Sequence, residues 1–178
     1  MGALPRLETK RLVLRAPEQS DLDAWAEMLG HEGARFIGGP MSRPEAWRVL
    51  ALMRGHWDLK GFGLFSILER ETGACVGRAG CWSPEAWPGT EVGWALKPAA
   101  MGKGYATEAS RAAISWAFET LGWTEVIHCI HPDNTASIAT AERLGSRHLR
   151  TARLPAPLNG HETLIYGQTR ETWTAQGV

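Results

Sequence analysis

Polar and apolar residues alternate along Arg11-Leu12-Val13-Leu14-Arg15, the period of a strand, and Pro17 ends it. Ser20 then predicts an N-cap for a helix from Asp21 to Leu29, with acids in its first turn. Gly38-Gly39-Pro40 breaks the chain. A second helix is predicted from Arg43 to Lys60, with Pro44 near its first turn and Trp47, Leu50, Ala51 and Arg54 at helical spacing. Leu64–Glu69 and Ala74–Cys81 read as strands around a turn at Thr72-Gly73, a hairpin pattern. After a loop rich in Pro, Trp and Gly at 83–89, Thr90–Leu96 is the next strand. A long helix opens near Gly104 and runs towards Leu121. Ala106, Ala109, Ala113, Ala117 and Leu121 recur on one face of it, and Gly122 stops it. Val126–Ile130 is a strand, Asn134 caps a short helix ending at Leu144-Gly145, and two strands near His148–Ala152 and Thr163–Tyr166 follow.

The predicted order is β-α-α-β-β-β-α-β-α-β-β. The strand at 90–96, the helix at 104–121 and the strand at 126–130 form a crossover, which makes those two strands parallel, while the hairpins are antiparallel. The expected fold is α/β in the α+β sense: one mixed sheet with helices on both faces, in a single domain over residues 1–178. That length buries a core without metals or disulfides.

Charge and cysteine content narrow the function. Nineteen basic residues balance nineteen acidic ones with no long run of either sign, so neither a nucleic-acid footprint nor a polybasic membrane patch is expected. Three cysteines, Cys75, Cys81 and Cys129, are too few and odd in number for a disulfide framework, which points to a reducing, cytoplasmic setting. No apolar run approaches the roughly 20 residues of a membrane span. Met1–Arg11 lacks the apolar core of a leader peptide, and Arg6 spoils the myristoylation pattern that Gly2 begins.

The most informative stretch is Lys97-Pro98-Ala99-Ala100-Met101-Gly102-Lys103-Gly104-Tyr105-Ala106-Thr107-Glu108-Ala109. Two glycines between a strand and a helix allow a tight turn and close approach of a ligand. The helix start offers unpaired N–H groups and partial positive charge to a phosphate. Taken alone, Gly-x-Gly is also an ordinary turn. Gly104 after Gly102-Lys103 fails the Walker pattern for ATP, and Thr107 fails the third glycine of the dinucleotide pattern.

This stretch resembles motif A of the Gcn5-related N-acetyltransferase superfamily, with Gly102 and Gly104 in the last two fixed places and Ala99 where Arg or Gln is usual. Gly102–Ala109 is closer still to the ribosomal-protein N-terminal (alanine) acetyltransferase branch. So are the opening Leu7–Arg15, the hairpin Gly73–Gly77, Glu91-Val92-Gly93-Trp94, and His131–Ser137 with Glu142-Arg143-Leu144-Gly145. The resemblance runs in order over nearly the whole chain. It implies an acetyltransferase whose twisted, mostly antiparallel sheet splays between its fourth and fifth strands, and it implies acetyl-coenzyme A as cosubstrate, with no metal. Coenzyme contacts are then expected from Trp94, Ala95 and Leu96 of the strand, from Met101, Gly102, Lys103, Gly104, Tyr105, Ala106 and Thr107 of the loop, and from Asn134 and Ser137. The implied partner is an amine, either a peptide N-terminus or a small molecule, met by a monomer or homodimer.

Acetyl transfer to an amine needs a base for the amine, a donor for the oxyanion and a proton for the departing thiolate. Glu91 is the first candidate base. Alternation puts it on one face with Gly93 and Ala95, opposite Val92, Trp94 and Leu96, and a carboxylate in a central strand is costly unless it meets a cleft or solvent. Gly93 marks either a bulge that frees a backbone N–H or a small residue packing under a helix. Asn134 is a good N-cap, and the resemblance adds a coenzyme contact. The branch implies Ser137 as thiolate acid, because Ala141 stands where many members carry tyrosine; a first-turn serine also bonds its own backbone. His131, just past a strand end, is the second-choice base. Spacing puts His128 and His131 on opposite faces, so a shared metal is not expected. Of nine tryptophans, Trp82, Trp87 and Trp94 cluster near the fourth strand, where they serve the core or an acceptor groove. Two other readings compete: an acetyl-coenzyme A-binding sensor without catalysis, and an ATP-binding protein using the glycine loop.

Overall fold

A computed structural model describes residues 4–177, so Met1–Ala3, on which the leader and lipidation readings draw, and Val178 lie outside the described residues. The strands are β1 (Arg6–Glu8), β2 (Leu12–Arg15), β3 (Leu64–Glu69), β4 (Cys75–Trp82), β5 (Glu91–Leu96), β6 (Glu125–Ile130), β7 (Arg147–Arg153) and β8 (Glu162–Thr169). The helices are α1 (Leu22–Gly30), α2 (Arg43–Lys60), α3 (Tyr105–Glu119), α4 (Thr135–Arg143) and α5 (Arg170–Ala175). All eight strands form one sheet in the order β1-β2-β3-β4-β5-β6-β8-β7. Every neighbouring pair is antiparallel except β5 and β6, the pair joined through α3.

Two apolar layers cover the sheet. On one face Ala109, Ala113 and Ala117 of α3 are fully buried against Ala79, Val92 and Val126. Their small side chains let the helix lie close to the strands, as the period-four alanine pattern predicted. On the other face Trp25, Met28 and Leu29 of α1 meet Ala46, Leu50 and Met53 of α2 over Leu64.

Several predicted details change. Asp21, not Ser20, precedes α1, and it shares a capping box with Glu18. The acid wins because its carboxylate also takes two 2.8 Å bonds from Arg15 and one of 2.7 Å from the Ser66 hydroxyl. The bounds of α2 are as predicted, with a Ser42–Glu45 capping box, but its buried face is Ala46, Leu50, Met53, His56 and Trp57. Trp47 of the predicted stripe is 47% exposed. Strand β1 and helix α5 were not predicted: three and six residues are too few for a period to show.

The strands predicted as fourth and fifth are β5 and β6, and they part after one register pair, Glu91 with Ile127. No bulge marks Gly93. The β4–β5 register runs without a shift from Gly77–Leu96 through Gly80–Gly93 to Trp82–Glu91. Lys97 N–H donates to Val76 O at 2.9 Å, so by antiparallel alternation the backbones of Glu91, Gly93 and Ala95 bond β4. Those of Val92, Trp94 and Leu96 turn towards β6, across the opening. Among the described residues the backbone donors turned to the gap are therefore at Trp94 and Leu96, not at Gly93.

Candidate active site

Glu91 sits where β5 and β6 begin to part. It is 8% exposed. One oxygen accepts from Trp87 Nε1 at 2.6 Å and the other from the Cys129 N–H at 3.1 Å. Burial pushes its carboxyl up to about 7, against these two donors and the charge of Arg78, which favour the ionised form. A carboxyl near 7 is matched to taking a proton at neutral pH. Beside it opens a cavity of about 860 Å³, reaching from α2 across β4 and β5 to the start of α4 and lined by Arg78, Glu91, Gly93, Trp94, Asn134 and Ser137 among others.

The glycine loop lies farther along. Gly102 and Gly104 have φ of +76° and +79°, in the region that disfavours side chains. Gly104 is the N-cap of α3 and offers no side chain to its N–H groups, so the first turn keeps donors for an anion. A clamp holds the loop in place. Glu108 accepts from Thr9 Oγ1 at 2.7 Å and from Arg11 N–H at 2.9 Å and pairs with the Arg11 guanidinium at 2.6 Å, while Arg11 Nη1 donates to Lys103 O at 2.9 Å. Backbone geometry and free donors thus fit a pyrophosphate.

The predicted residues divide by place. Trp94, Asn134 and Ser137 line the cavity with Glu91; Ala95, Leu96 and Met101 to Thr107 do not. The Leu96 side chain is buried under α3 and the Ala95 side chain packs against the α1–α2 layer, so neither side chain faces the gap. Asn134 is the cap, its Oδ1 accepting from Ser137 N–H at 3.2 Å. Among the described residues the Ser137 hydroxyl bonds no backbone group; Thr140 makes the back-bond in α4, to Ala136 O at 3.0 Å.

The two histidines take different tasks. His128 donates from Nδ1 to Val92 O at 2.6 Å and accepts at Nε2 from Ser146 Oγ at 2.9 Å. Burial lowers it to about 4, so it is a neutral tie between β5 and β6 just past the point where their ladder ends. His131 lies in the cavity wall against His161, ring centres 4.3 Å apart, and its Nδ1 accepts from Asp133 N–H at 3.1 Å. No group of three or more His, Cys, Asp or Glu residues suited to a metal occurs among the described residues.

Two residues of the site escaped the sequence reading. Trp87 was assigned only to a core or groove, yet it donates to Glu91. Arg78 was not singled out at all; the available signal was a lone charge in the middle of the apolar run Cys75–Trp82.

The family model "Acetyltransferase (GNAT) domain" matches residues 11–147. Protein YkkB of Bacillus subtilis (strain 168) is 32% identical over 157 residues, 86% of this chain and 91% of its own. The FsC-acetyl coenzyme A-N(2)-transacetylase of Aspergillus fumigatus is 38% identical over 88 residues, covering 47% of this chain and 37% of that protein. Among solved structures, an acetyltransferase from Agrobacterium tumefaciens str. C58 superposes with a TM-score of 0.84 at 32% identity, over 96% of this chain and 97% of that one.

Proposed function

Because this chain belongs to the GNAT acetyltransferase family, we propose that it moves the acetyl group of acetyl-coenzyme A onto a primary amine by direct attack in a ternary complex. The observation that carries the reading is Glu91, a buried carboxyl raised to about 7 at the edge of an open cavity where β5 and β6 part. The likeness to the FsC-acetyl coenzyme A-N(2)-transacetylase of Aspergillus fumigatus supports the coenzyme. In this reading the loop from Gly102 to Ala106 and the first turn of α3 hold the pyrophosphate, and the acyl arm lies between β5 and β6 beside Asn134. The amine gives its proton to Glu91, directly or through water, and forms the C–N bond to the acyl carbon. In this reading the backbone N–H of Trp94, which turns towards the gap, polarises the carbonyl. The C–S bond breaks and the thiolate takes a proton, with the Ser137 hydroxyl as its donor.

A reducing, cytoplasmic setting fits the three free cysteines. No helix among the described residues is long and apolar enough to cross a membrane.

Calorimetry with acetyl-coenzyme A and with ATP, followed by a thiol-release assay over a panel of amines, tests the whole reading. We expect binding of acetyl-coenzyme A, none of ATP, and thiol release that requires an amine. Binding without release for any amine would mark a silent sensor. Binding of ATP alone would return the glycine loop to the nucleotide reading.

Ser137→Ala should lower turnover a few-fold and leave coenzyme affinity unchanged. The effect is modest because a thiol with a pKa of about 8.5 is a fair leaving group even when water protonates it. Full turnover with chemistry rate-limiting would remove the hydroxyl from the mechanism.

A further inference from the structure

Arg78 is a buried cation with no ion-pair partner among the described residues. It lies on β4, on the same sheet face as Glu91, since Arg78 pairs with Ala95 and Trp82 with Glu91 in one unbroken register. It is 9% exposed and lines the cavity. Its Nη1 has no hydrogen-bond partner among the described residues. Its guanidinium carbon lies over the Trp25 ring, 5.3 Å from the ring centre, and the charge of Glu91 favours its protonated form. Arg15 shows what this chain does when an arginine is structural: it is tied to Asp21 by two bonds of 2.8 Å. A buried guanidinium without such a partner is expensive, and its planar fork suits a carboxylate.

The floor between Arg78 and Glu91 is bare. Gly80 and Gly93 face each other there in the ladder. A Cβ on Gly93 would come within 3.4 Å of Glu91 Oε1, so the glycine keeps open the space into which an amine must come. Beyond this polar corner the cavity turns apolar, with Ile37, Val49, Leu52, Met53, Trp82 and Leu158 in its walls. The acids in those walls are Glu85 and Glu91, too few to hold several ammonium groups.

We propose that the acceptor is a free apolar α-amino acid, its carboxylate bound by Arg78, its amine presented to Glu91 and its side chain in the apolar part of the cavity. This rests on the acetyl-transfer reading above and specifies its acceptor. Such a molecule carries an amine and a carboxylate together, the one for the Glu91 carboxyl and the other for the Arg78 guanidinium, which lie on the same sheet face to either side of Gly80 and Gly93. A peptide N-terminus carries an amide in place of that carboxylate and leaves Arg78 unpaired. A polyamine brings no anion and too much charge. In the reaction the amino-acid nitrogen bonds to the acetyl carbon, its proton goes to Glu91, and coenzyme A leaves as the thiol.

The test compares kcat/KM, by thiol release, for phenylalanine, phenylalaninamide, phenethylamine, a phenylalanyl peptide and spermidine. Phenylalanine should exceed phenylalaninamide and phenethylamine by roughly tenfold or more, because a buried donor left unpaired rejects the analogue that lacks its partner. In Arg78→Met the ratio of phenylalanine to phenethylamine should fall to about one. The ratio is the chosen readout because removing Arg78 also changes the titration of Glu91, and that effect is common to both amines. Should Arg78→Met fail to fold, Arg78→Lys keeps the charge without the fork and should lower the ratio partway. A parent ratio of one or less, a preference for the peptide or spermidine, or a ratio unchanged in a folded Arg78 variant would overturn the proposal while acetyl transfer stands. Thiol release with none of these or any other amine would instead overturn the acetyl-transfer reading, and the acceptor assignment with it.

Discussion

Glu91→Gln is expected to lower turnover by roughly 10²–10⁴-fold at neutral pH while coenzyme affinity stays as it was. The amide keeps the shape of the side chain and one of its two acceptors, so either Trp87 or the Cys129 N–H retains its bond. What is lost is basicity. Since burial raises the carboxyl from 4.5 to about 7, the parent's kcat/KM should rise with pH through about 7, and the variant should lack that limb. The deficit should shrink at high pH, where free amine is abundant without a base.

Stability supplies a second readout. A carboxyl raised in the folded state favours its neutral form, so the unfolded chain ionises first as pH climbs from 4.5. Folding stability then declines until pH reaches about 7, and a rise of this size corresponds to about 3 kcal/mol at full ionisation. Glu91→Gln removes that cost, so the variant should gain on the parent in melting temperature between pH 4.5 and 8. A folded variant with near-parent turnover at pH 7 would move the base to His131 or to a bound water. Unfolding of the variant would make Glu91 structural.

Gly104→Val should abolish measurable acetyl-coenzyme A binding at concentrations that saturate the parent. The residue has φ +79°, where a β-branched side chain costs on the order of 1–3 kcal/mol. A Cβ there would also lie 3.4 Å from Arg11 Nη2, in the clamp that holds the loop. The backbone strain falls on the turn that aims the α3 N–H groups, so affinity suffers first. The turn is exposed and the core residues of α3 lie beyond it, so circular dichroism and the melting temperature should change little. Unchanged affinity in a folded Gly104→Val protein would detach the glycine loop from the coenzyme.

Much of this was legible because it depends on local chemistry. The alanine period of α3 needs only neighbours four residues apart, and Ser42 with Glu45 predicts the start of α2 from three residues' spacing. The failures were also local in origin. Ser20 and Asp21 are both good caps, and the choice fell to Asp21 through Arg15 and Ser66, six and 45 residues away. The buried stripe of α2 differed by one position from the predicted one because contact with α1, not period alone, selects which face turns inward.

For the site, the sequence by itself determined the loop of Gly102 and Gly104, the cap at Asn134 and the presence of a carboxylate on the strand beside the crossover. Each follows from residue type and short spacing: positive φ demands glycine, a helix start wants a side-chain acceptor, and alternation assigns Glu91 a face. Only the tertiary structure decided what that face meets. Trp87 from a loop and Cys129 from β6 donate to Glu91, and Arg78 on β4 adds its charge; all three favour the ionised form, and the burial that comes with the packing outweighs them and raises the carboxyl. The same folding brought Arg78 to the cavity with no ion-pair partner among the described residues, and it placed the backbone donors turned to the gap at Trp94 and Leu96 rather than Gly93. Hydrogen-bond parity is set by which strand lies alongside, and desolvation by everything packed around a group, so neither can be read from a residue and its neighbours in the chain.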